Sequence, residues 1–299
     1  KAKRTSSNKR QEQHKLPYRI GILISKSVDE ELSDPYFLSI RQGVENECNA
    51  LGINSIDIYR TTNVQANQLS EELDGLIVIG AIDKEAINQL ANKISHIIFI
   101  DHSPDETKYD SVVIDFNTST TVAVRHLLHV GYNRIGYIGG RQFDNTDKIT
   151  SNTFVDDRQL VFTKRMKEAN LFNDRWMFIG DFSISDGYRL MKQAIDQGDW
   201  PEAFFIASDP MAVGSLRALQ EANIKVPEDV AIVSFDDVEM AQYASCPLTT
   251  IRVYTELMGR TSIKLFVERM KGRDIPLKVT VPTKLVIRES CGAKRINRK

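Results

Sequence analysis

Cysteine is scarce in this chain: Cys48, Cys246 and Cys291 are the only three among 299 residues. The number is odd and no CxxC spacing occurs, which excludes a disulfide framework and a zinc or redox motif built on paired thiols. The three are expected to be reduced thiols. No apolar run approaches the ~20 residues needed to span a bilayer. The basic N-terminus is not followed by an apolar segment with a small-residue cleavage site. The expected location is therefore cytoplasmic, with no membrane partner. Excess charge is missing too, since 39 Lys and Arg stand against 40 Asp and Glu for a net charge of -1. Without an overall field, any nucleic-acid contact must be local.

Several reaction signatures are absent as well. There is no GxGxxG after the first apolar run, no GxxxxGK[ST] and no GxSxG elbow, so nucleotide-dependent and serine-hydrolase readings lack a phosphate cradle or a nucleophile. Asp236 and Asp237 are adjacent on the chain; their side chains point apart and cannot straddle a glycosidic bond. His126 and His129 sit three apart on an expected helix, but zinc needs three or four converging ligands and no third is suggested nearby. The chain is expected not to be an enzyme, and no metal or cofactor is expected.

What is present is the material of a soluble α/β protein. Hydrophobic residues make up 41% and charged residues 26%, and the length suits two domains of ordinary size. Residues 1–17 are polar and basic with no periodic apolar face, and read as a linker cut from something longer. From Tyr18 onward, short runs rich in Ile, Val and Phe alternate with segments of helical period, the pattern of a parallel sheet with helices on both faces. One series is YRIGILIS (18–25), NSIDIY (54–59), DGLIVIG (74–80), HIIFID (96–101) and SVVIDF (111–116). A second is RIGYIGG (134–140), RWMFIGDF (175–182), EAFFIA (202–207) and DVAIVSF (229–235), with helices near 157–170, 185–197 and 210–223. The restart predicts two similar, doubly wound parallel-sheet lobes.

In open parallel sheets a ligand binds beyond the carboxyl ends of the strands. Those ends are polar here: Ser25, Asp101, Asp115, Asn117, Asp181, Ser208, Asp209, Asp236 and Asp237. With Tyr36, Phe37 and Phe182 nearby, such a cleft suits a sugar. Carboxylates accept hydrogen bonds from paired hydroxyls, and aromatic faces cover the CH patches of a pyranose ring. The same positions serve equally well as helix caps, and for Asn117, Ser208 and Asp209 both roles stay open.

Several segments, in order, resemble the lactose/galactose repressor (LacI/GalR) family. They are DPYFLSIRQGVENECNALGI (34–53), DGLIVIG, VVIDFNTSTTVAVRHLLHVGYNRIGYIGG (112–140), IASDPMAVGSLRALQEANIKVPEDVAIVSFDD (206–237), CPLTTIR (246–252) and LVIRES (285–290). The resemblance implies a periplasmic-binding-protein-like core with two lobes joined by three crossovers, near Ile138–Arg141, Thr249–Val253 and Thr280–Pro282. The N-terminal lobe would be 18–138 plus 253–279, and the C-terminal lobe 139–252 plus 280–292, with 293–299 as a tail.

The implied role is the effector-sensing, allosteric core of a transcription repressor of sugar-utilisation genes. Its implied partners are a small sugar, a second copy in a homodimer and operator DNA, the last only through a helix-turn-helix headpiece that nothing before Tyr18 could form. Residues 36–51 and 238–247 are the candidate dimer segments. Carried over by position, and joined to the strand-end reading, the candidate ligand set is Asp34, Tyr36, Phe37, Asp115, Asn117, Arg158, Phe182, Ser208, Asp209 and Asp236. Arg158 leads it, because a guanidinium offers planar paired donors that fit vicinal hydroxyls or a carboxylate. Its replacement by Ala is expected to abolish binding with little loss of folding.

Two departures bear on which sugar fits. Ser208 stands where the family usually has Asn, and the segment 139–158, with Asp144, Asn145 and Asp147, is longer than in the lactose repressor. The longer segment resembles the branch that senses galactosides or plant oligosaccharides, which points to a galactose-containing effector. A sugar-binding protein of an ABC transporter shares the architecture and is the alternative. The basic N-terminal tail, VPEDVAIVSFDD and PLTTIR favour the repressor.

Overall fold

A computed structural model describes residues 16–53, 55–60, 72–143 and 153–293. The chain opens with β1 (Arg19–Ile24), α1 (Val28–Ser33), α2 (Pro35–Leu51), β2 (Ser55–Arg60), β3 (Gly75–Ile79), α3 (Lys84–Ala91), β4 (Ile97–Ile100) and β5 (Asp110–Ile114). It continues through α4 (Phe116–Val130), β6 (Ile135–Gly140), β7 (Gln142–Phe143), β8 (Thr153–Phe154), α5 (Asp157–Glu168), β9 (Met177–Gly180), α6 (Ile184–Asp196), β10 (Ala203–Ile206) and α7 (Asp209–Glu221). The last elements are β11 (Ala231–Asp236), α8 (Glu239–Tyr243), β12 (Thr249–Arg252), α9 (Thr255–Met270), β13 (Lys278–Val281) and β14 (Lys284–Val286).

The strands assemble into two six-stranded sheets, ordered β13-β5-β4-β3-β1-β2 and β14-β12-β11-β10-β6-β9. Every pairing in the first is parallel. The second is parallel except where β14 runs antiparallel to β12 at its edge. The central strands β3, β4, β10 and β11 are buried along their whole length. Helices cover both faces, which explains why these strands read as unbroken apolar runs rather than alternating ones. Asn54 and the segment holding Asp144, Asn145 and Asp147 lie outside the described residues.

The chain passes between the sheets three times, and the first passage corrects an expectation. β5 pairs in the first sheet, but α4 packs on α5 and on β10, β11, β12 and β14, and β6 pairs with β10 and β9. The crossing therefore lies at Asp115, well before Ile138–Arg141. The buried face of α4, including Ala123, Val124 and Leu127, is apolar enough for either sheet; only packing decides which one it covers. The second crossing follows β12, since α9 packs on α2, β3, β4 and β5. The third lies between β13 in the first sheet and β14 in the second.

Each lobe contains one pair of helices in backbone contact. A Cβ on Gly43 of α2 would lie 2.3 Å from the Glu256 carbonyl oxygen of α9, and one on Gly259 2.2 Å from that of Ile40. The same device joins α6 and α7, where Gly187 and Gly214 would bring a Cβ to 2.1 Å and 2.0 Å of backbone oxygens. Only glycine permits these approaches. No helix among the described residues is long and apolar enough to cross a membrane.

Candidate functional site

The site is built around Arg158 at the start of α5. Asp156 caps that helix, its Oδ1 accepting the Arg158 backbone N–H at 2.9 Å. The same carboxylate takes the side chain in two prongs, Nε to Oδ1 and Nη2 to Oδ2, both 2.8 Å. Gln142 Nε2 donates to Asp156 Oδ2 at 2.7 Å, and Arg158 Nη1 donates to the Ala207 carbonyl at 2.8 Å. A guanidinium has five N–H donors, so with three engaged, Nη1 and Nη2 each keep one. Rings of Phe182, Phe116 and Phe235 lie 4.9, 5.2 and 5.3 Å from the guanidinium carbon. Burial opposes the charge of Arg158, but Asp156 and Asp236 hold the group protonated well above its ordinary range.

The first lobe contributes from the ends of β1 and β4. Lys26, two residues past β1, places Nζ 5.4 Å from the centre of the Phe37 ring. Asp34 caps α2 by accepting the Tyr36 N–H at 3.1 Å. Burial raises the Asp34 carboxyl pKa, against the pull of the Tyr36 N–H, Lys26 and Arg158. The buried Tyr36 donates its hydroxyl to Asp101 Oδ1 at 2.7 Å. Asp101 follows β4 directly, and burial pushes its carboxyl up to about 6 despite the Tyr36 hydroxyl and Arg158.

Opposite, Asp236 ends β11. Burial drives its carboxyl well above the ordinary range; Arg158 pulls it back, while Asp209, Asp34 and Asp101 push it further up. Carboxylates from both lobes thus share one electrostatic neighbourhood with one guanidinium. Asp101 has φ of 65° and Asp236 of 106°, conformations that cost a non-glycine residue on the order of 1 to 3 kcal/mol and concentrate at functional sites. One such strained carboxylate closes a strand in each lobe.

The structure brings together Asp34, Tyr36, Phe37, Arg158, Phe182 and Asp236 from the expected set. The other four have hydrogen-bond partners of their own. Ser208 caps α7, its Oγ accepting the Met211 N–H at 3.4 Å. Asp209 is fully buried and spent within its own lobe: Oδ1 accepts the hydroxyls of Ser234 and Thr250, and Oδ2 accepts the Val238 N–H at 2.9 Å. Asp115 is exposed and caps α4; the Thr118 hydroxyl at 2.6 Å and N–H at 2.9 Å hold its carboxyl below the ordinary range. Asn117 is exposed, and its Oδ1 accepts from Arg165 at 3.2 Å. Ser208 and Asp115 serve as helix caps, as Asp34 does, because the orphan N–H groups of the next helix claim the polar side chain just before it.

The expected set lacked Lys26, Asp101, Phe116, Asp156 and Phe235. Asp101 was visible as a polar residue ending a strand. Asp156 stands two residues before Arg158 in the sequence, but that spacing does not show it to be the buried partner.

Comparison with known proteins agrees with this architecture. A family model described as a periplasmic binding protein-like domain matches residues 124–291. The chain is 47% identical over 279 residues to the HTH-type transcriptional repressor MelR of Bacillus subtilis, covering 91% of this chain and 79% of MelR. It is 34% identical over 278 residues to the HTH-type transcriptional regulator GalR of Lacticaseibacillus casei, covering 91% and 81%. Among solved structures, a transcriptional regulator CelR–cellobiose complex superposes with a TM-score of 0.77 at 24% identity, covering 92% of this chain and 86% of that one.

Proposed function

The chain belongs to the LacI/GalR family of transcriptional regulators, and from that premise we propose that its cleft binds a galactose-containing sugar that sets the operator affinity of a dimeric repressor. The observation that carries the reading is the placement of Arg158. Beyond its three hydrogen bonds Arg158 keeps two N–H donors, it acts electrostatically on Asp101 of one lobe and Asp236 of the other, and the rings of Phe116 and Phe182 lie against it. Sugar hydroxyls donate and accept at once. A ring seated here pairs its hydroxyls with carboxylates on one side and the guanidinium on the other, and lays its CH face on the aromatics.

Because the contacts come from both lobes, a bound sugar favours the arrangement in which the lobes approach each other. In a dimer this changes the spacing of the DNA-reading elements, with a coupling typically of about 1 to 3 kcal/mol. The pairing of two copies follows from the symmetry of operator recognition. The segment 238–247, where Tyr243 is 73% exposed, is a candidate contact. The galactose-containing class rests on the resemblance of segment 139–158 to the galactoside-sensing branch. The CelR–cellobiose complex supports a sugar in a cleft of this shape.

Thermal melting against galactosides, glucosides, free hexoses and purines tests the reading. A sugar at 100 times its Kd adds about 2.7 kcal/mol, and a selective shift with galactosides is expected. A shift with a purine alone, or with no sugar, overturns the assignment.

A further inference from the structure

We infer that the cleft discriminates by charge, accepting an uncharged galactose-containing sugar and rejecting phosphorylated or carboxylated ones, with Asp101 as the discriminating residue. The inference rests on the sugar-effector reading above and sharpens it to a substrate class.

The argument begins with what Arg158 can no longer do. The edge of a guanidinium formed by Nε and one Nη is one of those that clamp a phosphate or carboxylate in two parallel bonds. In this cleft that edge is occupied by Asp156, whose two oxygens take Nε and Nη2. Two N–H donors remain for a ligand, one on Nη1 and one on Nη2. The positive charge is also answered inside the protein before a ligand arrives.

The remaining charges add to this. Among the described residues, Asp34, Asp101, Asp156 and Asp236 act on Arg158 or on one another, and Lys26 acts on Asp34. Asp209 also acts on Asp236, but its oxygens are taken up within its own lobe. Four acids stand against two cations. Even with a proton on Asp236, three carboxylates outweigh Lys26 and Arg158. An anionic sugar would enter a neighbourhood already negative and poorly hydrated, where like charges repel more strongly than in water.

Asp101 is the discriminating member because of how it is held. Asp156 is neutralised by Arg158, and Asp34 is engaged in capping α2 near Lys26. Asp101 receives one neutral hydrogen bond, from Tyr36, and no cation lies within ion-pair distance of it among the described residues. Its backbone is left-handed just past β4, with φ of 65°, and the Tyr36 hydroxyl holds one carboxylate oxygen. It is therefore a fixed acceptor for a sugar hydroxyl and a fixed charge against an anion.

The test is titration calorimetry at pH 7.5 with galactose and with α- and β-linked galactosyl-glucose disaccharides, each beside its 6-phosphate, together with galacturonic acid. The neutral sugar that binds should do so at least about 100-fold more tightly than its 6-phosphate, and galactose more tightly than galacturonic acid. Asp101→Asn, of the same shape without the charge, should narrow the gap by about tenfold. Asp101→Glu, which keeps the charge and controls for disturbance of β4, should retain the gap. Equal binding of neutral and anionic sugars by the unaltered protein, or a gap unchanged in Asp101→Asn, overturns the charge filter while leaving the sugar reading in place. Failure of every sugar to bind overturns both.

Discussion

Arg158 and Asp156, two residues apart at the start of α5, form a two-pronged ion pair with both bonds at 2.8 Å. Both residues are buried. Two charges this close out of water stabilise little as a pair, because each has lost its hydration. Removing one, however, strands the other. The pair also orders the site, since Asp156 holds Gln142 and the first turn of α5 while it aims Arg158 at the Ala207 carbonyl.

Arg158→Ala is therefore expected to cost folding as well as binding, which corrects the fold-neutral outcome anticipated from sequence. Breaking a buried pair from one side costs about 3 to 5 kcal/mol. Urea denaturation should show a loss of this order, and Arg158→Ala with Asp156→Ala should lose less than the sum of the two single variants. Additive losses would mean that the pair is not coupled.

Asp236→Asn separates stability from binding in the other sense. Burial works against the ionised carboxylate, Arg158 only partly offsets it, and among the described residues Asp236 has no ion pair like that of Asp156. The isosteric amide should leave the melting temperature equal or higher while weakening sugar affinity at least about tenfold, the size of one charged hydrogen bond. A large drop in melting temperature with unaltered affinity would make Asp236 a structural residue.

Gly43→Ala probes the contact between α2 and α9. Alanine favours a helix over glycine by about 1 kcal/mol. The added carbon would nevertheless lie 2.3 Å from the Glu256 carbonyl oxygen, where backbone must move. Overpacking of this kind costs about 1 to 3 kcal/mol, so net destabilisation is expected in thermal melts. A rise in melting temperature would show that the helices can part freely.

Stability should peak on the acid side of neutrality. Asp101 titrates near 6 in the folded protein against an ordinary value of 3.8, so the folded state holds a proton that the unfolded chain gives up. Stability is therefore lost as pH rises through that window, by on the order of 1 to 2 kcal/mol once the partial exposure of Asp101 is allowed for. Glu31 acts oppositely. Burial opposes its charge, but Arg41 and Arg60 hold its carboxyl below the ordinary range, and that contribution is lost as pH falls through the folded value. Melting temperatures from pH 4 to 8 should pass through a maximum, and Asp101→Asn should flatten the alkaline side. A steady rise to pH 8 in both proteins would contradict this.

Much of the architecture is legible along the chain because its causes are local. Runs such as Leu76–Ile79 and Phe204–Ile206 are apolar on both faces, which only a strand covered on both sides requires. The acids and hydroxyls that follow strands either cap the next helix or face a cleft. Sequence identifies the positions but cannot choose between these roles. Asp115 and Ser208 cap helices, whereas Asp101 accepts the Tyr36 hydroxyl and Asp236 is acted on by Arg158, although all four lie at or just past a strand end.

The element type of the nine apolar runs was thus determined by the sequence itself, through periodicity that acts within a few residues, whereas β7, β8, β12, β13 and β14 were not among those runs. Tertiary structure alone decided that α4 joins the second sheet, that Arg158 is already claimed by Asp156, and that Asp101 meets Tyr36. The last contact joins residues 65 positions apart. Such convergence is set by packing of whole elements, which local propensity does not encode.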